Sequence, residues 1–350
     1  MRKIEVRASE KYEVLIGSGA LNGAGAKIKA LAPRAETAAV IYDSAVACHL
    51  GRVEHELEAA GLRIAAMEIK SGEESKNGMS FLGILSFLAE NRLTRSDILV
   101  SLGGGMVGDL SGFAAASFMR GIKYVQMPTT LLSAVDSSVG GKTAIDLPEG
   151  KNLAGAFCQP MIVVCDTDML KTLPQDYFRD GCAEVIKYAV LGDETLFSHL
   201  ERETLGFDRE KVIARCVEMK SEYVSEDEFD TGVRRMLNLG HTLGHAVEAE
   251  SGFELSHGKS VAIGLATVSR ASAAEGLCSA DTAERICALI RAFGLPDRTE
   301  KSIDELMPAM KSDKKHVGSS INVIIPREIG LCSVKSMTDA ELAGFMRKGL

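Results

Sequence analysis

Two histidines four residues apart are the first feature of this sequence that could do chemistry. The segment Asn238–His245 reads NLGHTLGH and places His241 and His245 on one face of a helix. Glu184 lies in another helical segment, and His257 follows later. A carboxylate and two imidazoles would hold an ion such as zinc and leave one position open for substrate. The histidine spacing also suits a helix-surface pair without metal. The glutamate that zinc proteases carry after the first histidine is absent.

A glycine-rich turn is the second such feature. Gly103, Gly105 and Gly108 satisfy the spacing G-x-G-x-x-G between an apolar strand and a helix. Glycines let a pyrophosphate come close, and the amides of a helix N-terminus point at it. The usual dinucleotide fingerprint also needs an acid about 20 residues further on, and Gln126–Thr130 contains none. We therefore expect a phosphate-binding turn in a variant nucleotide fold, with a glycine turn that binds nothing as the alternative.

The remaining motifs include a segment similar to a P-loop and a set of cations that could form an anion pocket. Ser137–Thr143 imitates the end of a P-loop, but Asp136 stands where that motif needs glycine, which argues against a kinase or NTPase. Several cations lie near glycines, turns or the proposed metal helices. Each alone is typical of a solvated surface, but together they could bind phosphate and carboxylate groups. These cations are Arg120, Lys142, Lys151, Lys187, Lys220, Arg234 and Lys315.

Composition excludes several classes of protein. The net charge of −8 argues against nucleic acid as a partner. The eight cysteines form no Cys-x-x-Cys pair and are typical of a reducing compartment. The N-terminus lacks the apolar stretch of a signal peptide, and the chain has no run of about 20 apolar residues. We therefore expect a cytoplasmic protein that does not enter the membrane.

The elements that must position these residues change in character along the chain. Strand-like runs alternate with helical patterns in the first half, which predicts parallel βαβ units. The runs are Ile4–Arg7, Tyr12–Ile16, Thr37–Asp43, Arg63–Lys70, Asp97–Leu102, Lys123–Met127 and Met161–Asp166. After Leu173-Pro174 the patterns are helical, with one late strand at Ile321–Ile325. A chain of 350 residues favours two domains. We divide it into 1–172, an α/β domain, and 173–350, a helical domain, and expect the site in the cleft between them.

Six ordered motifs together resemble the 3-dehydroquinate synthase family. The resemblance runs from about residue 70 to Lys315 and is weaker at both ends. The motifs are GGGMVGDL from Gly103, PTTLL from Pro128, VDSSVGGKT from Val135, GKN from Gly150, AEVIKY from Ala183 and LNLGHTLGH from Leu237.

The resemblance implies a fold, a reaction and partners. The fold would be a Rossmann-like α/β N-terminal domain with an all-helical C-terminal domain that carries the metal. The reaction would convert 3-deoxy-D-arabino-heptulosonate 7-phosphate to 3-dehydroquinate and phosphate, through transient oxidation by NAD, phosphate elimination, re-reduction and aldol closure. The cofactors would be NAD and one divalent metal, zinc or cobalt. A homodimer is expected by the same likeness.

The resemblance also implies roles for individual residues. Glu184, His241 and His257 match the metal ligands, whereas His245 matches a substrate-side residue. The residues implied for NAD are Asp43, Ser71, Gly72, Glu73, Lys76, Gly104, Gly105, Gly108, Asp109, Thr129, Thr130, Lys142, Lys151 and Thr172. The residues implied for catalysis and substrate binding are Arg120, Asp136, Lys142, Lys151, Asn152, Lys187, Lys220, Arg234, Asn238, His245 and Lys315, with Lys315 favoured over Lys314.

Two positions depart from the family pattern. The family usually has Glu after the His257-Gly pair, and this chain has Lys259. A cation beside a bound dication is unfavourable, so we expect slightly weaker metal binding. Asp43-Ser-Ala45 also lacks an Asn often found two residues after the Asp, which would remove one contact to the adenosine ribose.

Three other functions remain as alternatives. Iron-type alcohol or glycerol dehydrogenases share the fold, but they carry Asp where this chain has Glu184 and lack the GKN and EVIK segments. A sister sugar-phosphate cyclase would take a sugar phosphate without the carboxylate, and Lys151, Asn152, Asn238 and His245 argue against it. A non-catalytic relative would bind metal and NAD without turnover.

Overall fold

The computed structural model describes residues 1–252, 254–312, 316–317 and 320–350, which form two compact units. The first unit contains Met1–Pro174 and Arg209–Asp230, and the second contains Gln175–Asp208 and Thr231–Leu350. The division at 172/173 stays a prediction for the functional domains. The boundary between the two compact units lies two residues later, between residues 174 and 175. The segment 209–230 belongs again to the first unit.

A seven-stranded sheet forms the centre of the first unit. Its order is β1-β2-β9-β6-β5-β3-β4, in which β1 and β2 form an antiparallel hairpin and the remaining neighbours are parallel. The strands are β1 (Arg2–Arg7), β2 (Lys11–Gly17), β3 (Thr37–Asp43), β4 (Arg63–Ile69), β5 (Ile98–Gly103), β6 (Lys123–Pro128) and β9 (Ile162–Asp166). The predicted strands are thereby confirmed, each to within two residues at either end.

Helices cover both faces of this sheet. Successive residues of a strand point to opposite faces. Val40 therefore packs with Val53 and Leu57 in one core, while Ile41 packs with Ile84 and Leu88 in another. Burial on both faces explains why β3 and β5 are nearly continuous apolar runs. The helices of the first unit are α1 (Ala24–Leu31), α2 (Leu50–Ala59), α3 (Gly78–Glu90), α4 (Gly105–Ser117) and α7 (Arg209–Glu226).

The strand order reverses between β3 and β5. The chain leaves β3 toward β4 on one side, and then crosses back to place β5 on the other side of β3. In open parallel sheets, ligands bind outside the carboxyl ends of the strands at such a reversal. Asp43 ends β3 and Gly103 ends β5, so an acid and the glycine turn lie at this point.

A small hairpin that the sequence analysis did not predict packs beside α4. It consists of β7 (Lys142–Leu147) and β8 (Gly150–Phe157). An ideal Cβ on Gly112 would lie 2.4 Å from Cγ2 of Thr143, so α4 can approach the hairpin only with glycine there. A π-helical turn, Ser133–Ser137, precedes the hairpin.

Helix α7 joins the first unit because its contacts are with β1, β2 and the π-helical turn. Glu210 lies 3.2 Å from the N-terminal ammonium group. Near the other end of the segment, the carboxylate of Glu228 accepts hydrogen bonds from the amide and hydroxyl of Ser9, at 2.7 and 2.8 Å. Periodicity along the sequence could not reveal these pairings, because the partners are about 200 residues apart.

The second unit is mostly helical, as the sequence predicts. It also contains a small antiparallel sheet, which an all-helical domain would not have. Its sheet has the order β10-β11-β12. Its helices are α5 (Gln175–Gly192), α6 (Glu194–Glu203), α8 (His241–Glu250), α9 (His257–Ala274), α10 (Ala280–Ala292), α11 (Ile303–Ser312) and α12 (Asp339–Gly349). Its strands are β10 (His316–Val317), β11 (Ser320–Glu328) and β12 (Leu331–Thr338).

Close packing of α8 on α9 requires glycine. An ideal Cβ on Gly264 would lie 1.9 Å from the carbonyl oxygen of Gly240, and one on Gly244 would lie 3.0 Å from that of Ser260. The helical pattern of this region is not one continuous helix, because a 3-10 helix, Val233–Asn238, ends before α8 begins. Gly240 has φ of 79°, which interrupts the helix immediately before His241.

Two negative expectations can be compared with the structure. None of the helices in the described ranges has the length and apolar character needed to cross a membrane. All eight cysteines are free thiols, in agreement with the expected reduced state.

Asp97 links the starts of β3 and β5 and generates a prediction about stability. Its buried carboxylate accepts hydrogen bonds from the amides of Glu36, Thr37 and Thr94, at 2.7 to 2.9 Å. Burial alone would raise the pKa of Asp97, but these hydrogen bonds outweigh it and lower the pKa.

We expect Asp97→Ala to lower the free energy of unfolding by about 2–4 kcal/mol at neutral pH, because three buried amides lose their acceptor. A carboxyl group whose pKa is lower in the folded state stabilises the fold at pH values above its unfolded-state pKa of about 3.9. This stabilisation is lost as the pH falls through the folded-state pKa. The difference from wild type should therefore shrink in urea titrations below about pH 4. The exposed Glu58→Ala is the control. Equal destabilisation by Asp97→Ala at all pH values would contradict this account.

Candidate functional site

The glycine turn connects β5 to α4 without room for side chains. Gly104 precedes the first residue of α4, Gly105. An ideal Cβ on Gly104 would lie 3.1 Å from Cγ2 of Thr130, and one on Gly105 would lie 3.0 Å from Oγ of Ser137. Glycine at both positions keeps side chains away from the start of α4, whose N-terminal amides lie at the sheet's reversal point and are of the kind that binds an anion.

An acid lies beside the glycine turn at the end of β3, the strand next to β5 in the sheet. An ideal Cβ on Gly103 would lie 3.1 Å from Cβ of Asp43, so the two strand ends are in contact. The Asp43 carboxylate accepts the Ala45 amide at 2.9 Å. Beside it, Ser44 Oγ accepts the amide of Ser71 at 3.0 Å, which connects this turn to the 71–76 loop. The strand order thus places an acid beside the glycine turn, although none follows the turn in sequence.

Lys76 connects the 71–76 loop to α4 and to the hairpin. Its Nζ donates to Asp109 Oδ2 at 2.7 Å and to Asn152 Oδ1 at 2.6 Å, and it lies 3.7 Å from Glu73 Oε1. Burial disfavours the ammonium, but the charges of Asp109, Glu73 and Asp146 outweigh it and raise the pKa of Lys76 to about 12. Lys76 therefore stays charged at neutral pH and fixes the Asn152 side chain.

The remaining residues of the expected NAD set surround the same end of the sheet, some of them already paired. Gly72, in the same loop, has φ of 119°, and Gly108 lies one turn into α4. Thr130 Oγ1 accepts the amide of Ser133. Thr172 Oγ1 lies 2.8 Å from His49 Nε2 and donates to the carbonyl of Met169.

Orphaned hydroxyl groups at the turn fit a polar ligand. Thr129 is 1% exposed, and its Oγ1 has no hydrogen-bond partner among the residues that the structure describes. The same holds for the buried Oγ of Ser137, which faces Gly105. Buried hydroxyls are normally satisfied. Together with the glycine cradle, they fit the phosphate and ribose groups of a dinucleotide. Ser137 was missed by the sequence analysis, because nothing local marks its contact with Gly105.

Two of the expected cations of the first unit, Lys142 and Lys220, are paired with carboxylates. Lys142 Nζ lies 2.5 Å from Asp230 Oδ2. Lys220 is buried and donates to the carbonyl oxygen of Asp136 at 2.8 Å, with its carboxylate at 3.1 Å. Lys151 on β8 is near enough to Glu73 to lower the pKa of that carboxyl, although burial dominates and raises it. Asp230 is a further residue that the sequence analysis did not single out.

Arg120 lies away from the glycine turn within the first unit. It lies in the short 3-10 helix that follows the C-terminal end of α4, whereas the glycine turn precedes the N-terminal end. The 13 residues of α4 span about 20 Å. The sequence could not reveal this separation, because Arg120 is only twelve residues from Gly108 along the chain.

A carboxylate and two imidazoles converge in the second unit. Glu184 Oε1 lies 3.3 Å from His241 Nε2 and 3.2 Å from His257 Nε2. These are the three residues that, among those the structure describes, form a group suited to a metal ion. Ligand atoms on one tetrahedral zinc, at about 2.0–2.2 Å from the metal, lie about 3.3 Å from each other. The donor set therefore fits a zinc-like ion.

The protonation of this cluster follows from its surroundings. Burial would raise the pKa of Glu184, but the charge of Lys187 and the two histidines hold it well below its usual value. Burial lowers the pKa of His241 to about 4. The Nδ1 atom of His241 lies 3.1 Å from the carbonyl oxygen of Leu239, an acceptor that directs Nε2 toward the metal position.

The other expected residues of the second unit lie on neighbouring segments. Lys187 Nζ lies 2.5 Å from Glu184 Oε2, one turn along α5. The His245 ring centre is 5.3 Å from that of His241 and 6.0 Å from that of His257, so His245 lies beside the ligands without being among them. Arg234 is buried and Asn238 donates to the carbonyl of Arg235. The expected residue Lys315, like its alternative Lys314, lies outside the described residues.

Comparison with known proteins places these sites in a family. Residues 66–180 match the model of the 3-dehydroquinate synthase N-terminal domain, and residues 181–316 match that of the C-terminal domain. The chain is 45% identical to the 3-dehydroquinate synthase of Caulobacter vibrioides (strain NA1000 / CB15N), over 99% of this chain and 98% of that protein.

Solved structures with similar folds include two other cyclases. A 2-deoxy-scyllo-inosose synthase complexed with carbaglucose-6-phosphate, NAD+ and Co2+ has a TM-score of 0.87 at 22% identity and is covered completely, as is this chain. The 2-epi-5-epi-valiolone synthase from Streptomyces hygroscopicus subsp. jinggangensis 5008, with NAD+ and Zn2+ bound, has a TM-score of 0.86 at 25% identity, over 96% of this chain and 95% of that one. From the two matching domain models and the near-complete match to a curated relative, this chain belongs to the 3-dehydroquinate synthase family.

Proposed function

We propose that this chain converts 3-deoxy-D-arabino-heptulosonate 7-phosphate to 3-dehydroquinate and phosphate. The observation that carries the proposal is the convergence of Glu184, His241 and His257 within one group whose ligand atoms lie within 4.8 Å of one another. Membership of the 3-dehydroquinate synthase family supports the choice of substrate.

The chain's residues fit NAD and a divalent metal, which we propose is zinc or cobalt. The glycine cradle at Gly104 and Gly105, with the orphaned Thr129 hydroxyl, would hold the dinucleotide. When bound, NAD supplies reversible hydride transfer. Glu184, His241 and His257 would hold the metal, which supplies Lewis-acid activation of a substrate hydroxyl when bound. The neighbouring structures with NAD+ and Co2+ or Zn2+ support this pair of cofactors.

The buried cations account for an anionic substrate. Lys187, Lys220 and Arg234 are each at most 6% exposed in a chain with a net charge of −8. Lys187 and Lys220 are each opposed by one carboxylate, and a substrate with a phosphate and a carboxylate would add two anionic partners to this set of cations. We assign Lys142, Lys151 and these three residues to binding those groups, and Asn152, Asn238 and His245 to orienting the hydroxyls. Asp136 would hold Lys220 in place.

Three further aspects of the proposal concern location, substrate class and assembly, of which the homodimer rests on likeness to the family. We propose that the enzyme acts in the cytoplasm, on a small phosphorylated sugar acid, and that it forms a homodimer. Sedimentation equilibrium of the purified chain tests the dimer directly.

Turnover should produce 3-dehydroquinate and phosphate in equal amounts. We expect this when the chain is incubated with the heptulosonate phosphate, NAD and zinc, and we expect no accumulation of NADH because the cofactor is regenerated. Removal of metal by a chelator should abolish turnover, and added zinc or cobalt should restore it. His257→Ala should lower kcat by at least about 100-fold, whereas the exposed His55→Ala should leave it unchanged.

Parallel substrates separate the alternatives. Oxidation of glycerol with stoichiometric NADH would support a dehydrogenase, and cyclisation of sedoheptulose 7-phosphate or glucose 6-phosphate would support a sister cyclase. Binding of zinc and NAD without turnover of any of these would support a non-catalytic relative. Each outcome would overturn the proposed reaction.

Lys259 provides a prediction about the metal. Helix α9 begins at His257, and residues two positions apart on a helix do not face each other. Lys259 should therefore have little effect on the ion, and the weakening of metal binding that the sequence predicts should be close to the limit of measurement. We expect Lys259→Glu to change zinc affinity by less than about threefold, measured by competition with a chromophoric chelator. A tenfold or greater gain in affinity would show that Lys259 acts on the ion directly.

A further inference from the structure

The three metal ligands come from three separate helices of the second unit. Glu184 lies within α5, His241 is the first residue of α8, and His257 is the first residue of α9. First residues of helices are prone to fraying. His257 is also the most exposed of the three, with 33% of its side chain accessible. Something must therefore fix the start of α9 relative to the other two helices.

Asp180 fixes the start of α9 against α5. Its carboxylate accepts a hydrogen bond from the hydroxyl of Ser256 and one from the amide of Lys259, the latter at 3.0 Å. A carboxylate at this place satisfies an amide of the first turn and interacts favourably with the helix dipole. Asp180 lies one turn before Glu184 on α5, so the capping residue and the metal ligand are on the same face.

Gly258 permits this contact. An ideal Cβ at position 258 would lie 2.0 Å from the carbonyl oxygen of Asp180. The backbone of α9 therefore touches α5 directly after His257. The separation of His257 from Glu184 is then set by backbone packing and by the Asp180 cap together.

Glu248 fixes the ring of His257 from the other side. Its Oε2 lies 3.4 Å from His257 Nδ1, and the residue is only 7% exposed. Glu248 lies seven residues after His241 on α8, two turns along the same face. An acceptor at Nδ1 places the proton there and leaves Nε2, the atom 3.2 Å from Glu184 Oε1, free to bind metal.

We propose that Asp180 and Glu248 are positioning residues that hold His257 in the geometry and tautomer required for metal binding. Neither would touch the ion. Each joins the start of α9 to a helix that carries another ligand. The inference rests on the metal site of the proposed function, but it concerns metal affinity and does not depend on which substrate is turned over.

Matched alanine variants test the proposal. Glu248→Ala is compared with Glu250→Ala on α8, and Asp180→Ala with Asp176→Ala on α5, since Glu250 and Asp176 are exposed on the same helices. Zinc and cobalt affinities are measured on the full chain by chelator competition. We expect Glu248→Ala to lose 10- to 100-fold in affinity, Asp180→Ala to lose about tenfold, and the controls to match wild type.

A second set of readouts separates positioning from a general effect on folding. NAD affinity and the thermal midpoint of the metal-free protein should change little in Glu248→Ala. A misplaced His257 side chain weakens metal binding but affects neither the NAD site nor the packing of the metal-free fold. Glu248→Gln keeps an acceptor for Nδ1, so it should recover part of the lost affinity. The visible spectrum of the cobalt-loaded Glu248→Ala protein should differ from that of wild type.

The outcomes distinguish this proposal from the proposed reaction. Wild-type metal affinity in both Glu248→Ala and Asp180→Ala would overturn the positioning role, whatever the enzyme turns over. Equal losses in NAD affinity and metal affinity, together with a lower thermal midpoint, would also overturn it. A general defect in folding would then explain the loss of metal affinity. If the variants lose metal affinity as expected but the wild-type protein does not turn over the proposed substrate, only the proposed reaction would be wrong.

Discussion

The burial of the Glu184 carboxylate against Lys187 and two histidines is the interaction on which the second unit depends. Glu184 is 1% exposed, and a buried carboxylate is costly unless positive charge or a metal compensates it. Lys187 compensates one oxygen, and the two histidines surround the other. Because these partners come from separate helices, the helices must pack closely, and glycines at 240, 244, 258 and 264 make that packing possible.

Strand order has the same importance in the first unit. The reversal between β3 and β5 leaves the carboxyl ends of two adjacent strands open to a ligand. An acid ends one strand and the glycine turn follows the other, so the dinucleotide elements meet there although 60 residues separate them in sequence. Lys76 then connects this end of the sheet to Asn152 of the hairpin, through contacts of 2.6 to 2.7 Å.

Anionic ligands are recognised locally in this acidic chain. Each buried lysine that the structure describes in the sites is already opposed by a carboxylate, as Lys220 is by Asp136 and Lys76 is by Asp109. Such pairs hold long side chains in fixed positions. The same principle extends to the metal, where Asp180 and Glu248 act on His257 rather than on the ion. The geometry of the site is thus determined as much by residues behind the ligands as by the ligands.

Sequence by itself determined the elements and the chemical types, because both are local. Apolar runs such as Thr37–Asp43 predicted the strands, and the glycine spacing predicted the anion turn. It left open whether the histidine pair bound metal at all, and only the family motifs favoured His257 over His245. Tertiary structure brings Glu184, His241 and His257 together, with His257 at the start of α9, and leaves His245 outside this group. It also placed α7 in the first unit and Arg120 away from the glycine turn. These outcomes depend on contacts between distant residues, which no local pattern encodes.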